Sequence, residues 1–283
     1  MTASPLISAA DLATRLGDEN LLVVDCRSDL SDTERSARDY AAAHIPGAVY
    51  ADLNRDLSDL SKPRLGRHPL PDAAAFSALL GRWGWTPAMQ VVAYDDAGGA
   101  LGAARLWWML RLIGARNAAV LDGGWSAWKR EGWPVEAKPS ARAPATVSVD
   151  FAASEIVYTD ELRELQKRGD ALVVDARGAP RFRGEVEPID PVAGHIPGAR
   201  NRPFSENLAA DGRFKPAADL RAELLAVIGP RAPGTVIHSC GSGVSACQNL
   251  LAFEIAGLAG SRVYAPSWSG WIADAENPIE RGA

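Results

Sequence analysis

The chain repeats itself, and that repeat constrains its fold more than any other feature. The stretch "LLVVDCRSDL" at 21–30 returns as "ALVVDARGAP" at 171–180, and "HIPGAVYADL" at 44–53 returns as "HIPGARNRPF" at 195–204. Further on, "VVAYDDAGGALGAARLWW" from 91 is answered by "VIHSCGSGVSACQNLL" from 236, and "LDGGWSAW" ending at 128 by "YAPSWSGW" ending at 271. Order is kept and the offset is nearly constant, so the 283 residues form a duplicated domain. Each copy is long enough to bury its own core. Between them, "PVEAKPSARAPATVSVD" is rich in Pro and Ala and lacks apolar periodicity. The expected division is a first domain over 1–138, a linker over 139–152 and a second domain over 153–283.

Within each copy, short β-branched runs such as "LLVVD" and "TVIHS" alternate with segments of helical period such as "LGAARLWWMLRLIG" and "DLRAELLAVIG". That alternation predicts an α/β fold, each copy a mostly parallel sheet flanked by helices. Hydrophobic residues make up 47% and charged residues 23%, the composition of a globular chain. A net charge of −5 offers no footprint for nucleic acid or an anionic membrane, so neither is an expected partner. The opening "MTASPLISAADLATRL" has no basic segment followed by an apolar one, and no run approaches a membrane span. A cytoplasmic location is the expectation.

Three cysteines, Cys26, Cys240 and Cys247, are too few and too odd in number for a disulfide framework. No CxxC pair is present, so no metal ligands are expected, and no organic cofactor is implied. Cys240 falls between the strand-like "TVIHS" and the helical "SACQNLLAFEIA", at the end of a parallel strand where α/β sheets gather their ligands. The glycines of "CGSGVS" let the backbone curl with its amides inward, and the following helix adds its positive end. Such a cradle stabilises a thiolate and the anion it handles. A cysteine-dependent phosphatase or arsenate reductase would need an arginine closing the loop, and Ala246 stands there. Sulfur transfer through a Cys240 persulfide is the sharper reading, and a non-catalytic sulfur carrier is its rival.

The paired "VVD(C/A)R" strands, the paired "HIPGA" turns, the single loop cysteine and the closing "SWSGW" together resemble the rhodanese family of sulfurtransferases. The loop "CGSGVS" is similar to the "CGSGVT" of the family's 3-mercaptopyruvate branch, whereas thiosulfate-preferring members typically carry a basic loop like "CRKGVT". The resemblance implies transfer of a sulfane sulfur from 3-mercaptopyruvate, with thiosulfate as the alternative donor. The acceptor would be cyanide or a thiol, a thioredoxin-like one among them. It also implies a catalytically silent first copy, in keeping with Asp95 aligning opposite Cys240.

Several residue roles follow from the resemblance. The loop from Gly241 through Ser242, Gly243, Val244 and Ser245 to Ala246 would hold the persulfide. Arg181, in "RF", would bind the donor anion. The branch usually shows "EPR" downstream, but this chain reads Glu187-Pro188-Ile189, so either Arg183 reaches in from nearby or the pocket accepts a different donor. The serine, histidine and aspartate of a proton relay match Ser242, His68 and Asp59, with Asp56 as the alternative acid. Other polar residues read as architecture: His44 and His195 repeat in both copies, and His238 lies on the strand. Cys26 and Cys247 read as core, and the paired Trp125, Trp128, Trp268 and Trp271 as interdomain or core packing.

Overall fold

The computed structural model describes residues 4–282. Its chain divides into two compact units. The first runs to Asp59 and adds Leu70–Ala152 and Ala210–Arg213; the second comprises Leu60–Pro69, Ala153–Ala209 and the chain from Phe214 onward.

The first unit holds strands β1 (Leu6–Ile7), β2 (Leu21–Asp25), β3 (Val49–Tyr50), β4 (Gln90–Tyr94) and β5 (Ala118–Leu121). They form a parallel sheet in the order β1-β5-β4-β2-β3. Its helices are α1 (Ala9–Ala13), α2 (Arg35–Ala42), α3 (Ala73–Arg82), α4 (Ala103–Leu112) and α5 (Gly124–Arg130). The second unit repeats the order as β6-β10-β9-β7-β8, again parallel. Its strands are β6 (Ile156–Val157), β7 (Leu172–Asp175), β8 (Arg200–Asn201), β9 (Val236–Ser239) and β10 (Arg262–Tyr264). Helices α6 (Thr159–Arg168), α7 (Ala179–Phe182), α8 (Ala217–Ile228), α9 (Ala246–Ile255) and α10 (Ser267–Trp271) accompany them.

Helices on both faces of a parallel sheet bury its strands completely, which is why these strands read as unbroken apolar runs. Every residue of β2 and of β9 is buried. The tryptophans pack within their own units, Trp125 and Trp128 in one core and Trp268 and Trp271 in the other. Trp128, Trp268 and Trp271 each donate their indole N–H to a backbone carbonyl. Both motif histidines are structural: the Nδ1–H of His44 donates to the Tyr40 carbonyl, and that of His195 to the Phe182 carbonyl.

Two chain segments depart from a simple reading of the sequence. The Pro- and Ala-rich stretch forms no helix or strand but is tied along the first unit. The Ala145 amide donates to Gly81, that of Val149 to the Ser77 hydroxyl and that of Ala152 to Leu112, while Phe151 rests on Phe76. The segment Leu60–Pro69 lies inside the first copy in sequence but packs with the second unit. Gly66 makes this close approach: a Cβ there would stand 2.5 Å from the Pro266 carbonyl oxygen. Arg67 then donates its amide to the Ser269 hydroxyl at 3.0 Å. Among the described residues, no helix is long and apolar enough to cross a membrane.

Candidate active site

Cys240 follows the last residue of β9 and is 1% exposed. The start of α10 takes up the loop's carbonyls, with Trp268 N–H donating to Cys240 at 3.0 Å and Ser269 N–H to Gly241 at 2.9 Å. Because peptide planes are rigid, carbonyls drawn outward leave the amides turned inward. The amides of Gly243 and Ser242 accordingly point at Cys240 Sγ, at 3.1 and 3.5 Å. Burial opposes the thiolate, but the Ser245 hydroxyl and the amides of Ser242 and Ala246 bond to the sulfur and outweigh it. The thiol is held below its ordinary pKa. Val244 is buried in the same loop and its carbonyl receives the Cys247 amide.

A hydrogen-bonded histidine and serine stand beside this cradle. His68, almost buried, places Nδ1 2.8 Å from the Ser242 hydroxyl oxygen. Both belong to the second unit, His68 through the Leu60–Pro69 segment. Asp59 ends the first unit's stretch just before that segment. Its alternative, Asp56, is already engaged by the Asp52 amide and by Arg82.

Arg181 comes to the site and Arg183 does not. A Cβ at Gly241 would lie 3.7 and 3.8 Å from the two terminal nitrogens of Arg181. Glu187 fixes that guanidinium through Nε at 3.1 Å and Nη2 at 2.6 Å, and is itself anchored by the Ile189 and Asp190 amides. Arg183 is instead held in a two-point pair with Glu185, two residues on and exposed. Arg183, the nearby alternative for the missing arginine, is thus engaged by a carboxylate two residues on. Ile189 is itself 48% exposed.

Three residues at the site were not singled out from the sequence. Arg67 reaches the same space as Arg181, its Nη2 2.8 Å from where a Gly241 Cβ would be. Asp190 is shared by both guanidiniums. Ser267 is the one non-glycine residue with positive φ among those described, at 52°. Its hydroxyl oxygen accepts the Cys240 amide at 3.1 Å, lies 3.9 Å from Sγ and donates to Tyr264. The repeat itself held a signal for Ser267, since its counterpart in "LDGGWSAW" is Gly124.

The remaining candidates are core. His238 is fully buried against Phe253, bonded through Nε2 to Ser261, and burial drives its pKa down to about 3. Cys247 donates to the Gly243 carbonyl, and burial pushes the Cys26 thiol well up. Among the described residues, no group of three His, Cys, Asp or Glu is placed to hold a metal.

Comparison with known proteins agrees with this architecture. The rhodanese-like domain matches residues 8–131 and again 158–274. A probable 3-mercaptopyruvate sulfurtransferase of Pseudomonas aeruginosa is 45% identical over the full length of both chains. A putative thiosulfate sulfurtransferase of Mycobacterium tuberculosis is 38% identical, covering 98% of this chain and 97% of its own. The 3-mercaptopyruvate sulfurtransferase of Leishmania major superposes with a TM-score of 0.83 at 34% identity, over 93% of this chain and 73% of that one. Two parallel α/β units with one loop thiol define a tandem-domain sulfurtransferase architecture, and this chain belongs to the rhodanese family.

Proposed function

We propose that this protein moves a sulfane sulfur from 3-mercaptopyruvate to cyanide or a thiol, including a thioredoxin-like one, through a persulfide on Cys240. The observation that carries the reading is the sulfur cradle: a buried thiol with inward amides at 3.1 and 3.5 Å and its pKa lowered. The Cys240 thiolate attacks the donor sulfur, forming an S–S bond as the donor's C–S bond breaks. The released electron pair leaves the enolate of pyruvate, which takes up a proton to become pyruvate. An acceptor nucleophile then attacks the outer sulfur, and the S–S bond returns its electron pair to Cys240.

The Ser242 and His68 pair is suited to deliver the enolate's proton. Arg181, held by Glu187, is suited to bind the donor's anion. The persulfide takes the place of the thiolate before the loop amides from Gly241 to Ala246. All three cysteines are free, which suits a reducing compartment such as the cytoplasm.

Thiosulfate is the second donor to test, because two guanidiniums near the loop also suit a sulfur oxyanion. The experiment is a steady-state assay of wild type and Cys240→Ser with each donor and cyanide, with intact mass recorded after donor alone. The gain of one sulfur by wild type only, with kcat/KM higher for 3-mercaptopyruvate, is the expected result. Higher kcat/KM for thiosulfate overturns the donor; no sulfur gained from either overturns the mechanism.

A further inference from the structure

We propose that the first unit carries a binding site of its own, for an α-amino acid in its zwitterionic form, in the cavity of about 500 Å³ beside Arg27 and Trp125. The site goes beyond sulfur transfer and does not rest on it. Every residue lining the cavity belongs to the first unit. Its floor is an arrangement that both copies share. Arg27 is held by the Asp25 carboxylate, gives Nη2 to the Ala43 carbonyl at 2.7 Å and stacks on Trp125 at 4.6 Å. Arg177 is held by Asp175, gives Nη2 to the Gly194 carbonyl at 2.8 Å and stacks on Trp268 at 4.9 Å.

The copies differ in what the remaining donors meet. In the second, Arg177 Nη1 meets Glu187 at 3.5 Å, and the Trp268 indole N–H donates to the Val192 carbonyl at 2.9 Å. In the first, Arg27 Nη1, the Trp125 indole N–H and the Ser36 hydroxyl have no hydrogen-bond partner among the described residues. All three residues line the cavity and are more than nine-tenths buried. Buried donors left unpaired are costly, and a carboxylate, with its several lone pairs and its fit to a guanidinium, satisfies them. At the mouth the sign reverses. Asp29 and Asp39 share one guanidinium, that of Arg35, and the exposed Asp96 accepts from the Ser126 hydroxyl. Lys129 adds one ammonium, 5.4 Å from the Trp125 ring, so the rim keeps a net negative charge. A carboxylate on the floor with an ammonium toward the rim suits both levels, and an α-amino acid carries the two groups on one carbon. Ala43 and Leu101 give its side chain an apolar wall.

The test is ligand-observed saturation-transfer NMR on the wild-type protein with the common L-amino acids. Each one that binds is then compared with the matching amine lacking the carboxylate and the matching acid lacking the ammonium. At least one amino acid is expected to bind, and removing either charged group is expected to weaken it roughly ten- to hundredfold. Trp125→Phe deletes the indole N–H and is expected to weaken binding roughly three- to tenfold. Ala42→Trp fills the cavity from an exposed position on α2 and removes no side-chain hydrogen bond. It is expected to abolish binding while Tm and the rate of sulfur transfer stay at wild-type levels. Absence of binding by every amino acid overturns the proposal. Equal affinity for the acid lacking an ammonium overturns it in favour of a plain carboxylate site. Binding unchanged in both variants places the ligand elsewhere and overturns it too.

Discussion

The two units build the same cradle and fill it differently. In the first, Asp95 directly follows β4 and its carboxylate accepts the amides of Ala97 and Gly99 on one oxygen, at 2.9 and 2.8 Å, and those of Leu101 and Ala103 on the other, both at 3.1 Å. In the second, Cys240 directly follows β9 and its sulfur faces the amides of Ser242 and Gly243. A strand end, a glycine-bearing turn and a helix N-terminus turn amides inward whichever anion is present. The first cradle even keeps a cavity of about 500 Å³ nearby, lined by Arg27, Asp96, Trp125 and Lys129 among others. The fold therefore supplies the anion site, and the residue at the strand end sets what that site can do.

Replacing that residue is the strongest way to test the comparison. Cys240→Ser is expected to lower sulfur transfer at least about a thousandfold, because no other group in the loop replaces the nucleophile. The sharper version adds Asp95→Cys to Cys240→Ser, placing a thiol in the first cradle. This double variant is expected to gain no sulfur from the donor in an intact-mass measurement, since Arg181 and the Ser242–His68 pair all belong to the second unit. Transfer activity there would break the comparison and make the cradle sufficient by itself. Ser242→Ala comes next: removing the hydroxyl bonded to His68 is expected to slow persulfide formation from 3-mercaptopyruvate roughly ten- to hundredfold. Cyanolysis of a preformed persulfide needs no enolate proton and should continue at the wild-type rate in stopped-flow.

What was legible in the sequence follows the range of the interactions involved. The duplication, the parallel α/β units and the position of Cys240 rest on local patterns: buried strands read as apolar runs, and a strand-to-helix turn is punctuated by glycine. Arg67 was missed because its partners, Asp190 and the Gly241 loop, lie far along the chain, and nothing local in "GRHPLP" places that segment in the second unit. The surroundings of Arg183 are local by contrast, since a carboxylate two residues away, Glu185, accepts from both Nε and Nη2 of its guanidinium. Ser267 lay between these cases. Its unusual backbone is invisible in its own copy and visible only against Gly124, where the repeat puts a residue at home with positive φ.

That Gly124/Ser267 pair offers a reciprocal exchange. Gly124 has φ 56°, and a Cβ there would run into the Asp95 carbonyl. Gly124→Ser is expected to cost about 1–3 kcal/mol of stability, read as a lower denaturant midpoint. Ser267→Gly removes strain but also the hydroxyl that accepts the Cys240 amide, so stability should change by less than about 1 kcal/mol while kcat/KM falls. Equal stability losses in the two variants would mean that Ser267 is held by packing alone.

The smallest expected effect concerns the thiol's titration. Because the loop holds the Cys240 pKa below its ordinary value, thiolate absorbance that is lost in Cys240→Ser should rise at a lower pH than that of a free thiol, about 8.5. Ser245→Ala removes the foremost hydrogen bond favouring the thiolate and should move that rise to higher pH. Stability follows the same sign. The folded pKa lies below the unfolded one, so the thiolate's contribution is present above the unfolded value and lost as pH falls through the folded value. In Ser245→Ala that loss should be smaller and be complete at a higher pH. An unchanged titration would assign the lowered pKa to the backbone amides alone, the feature that Cys240 shares with Asp95.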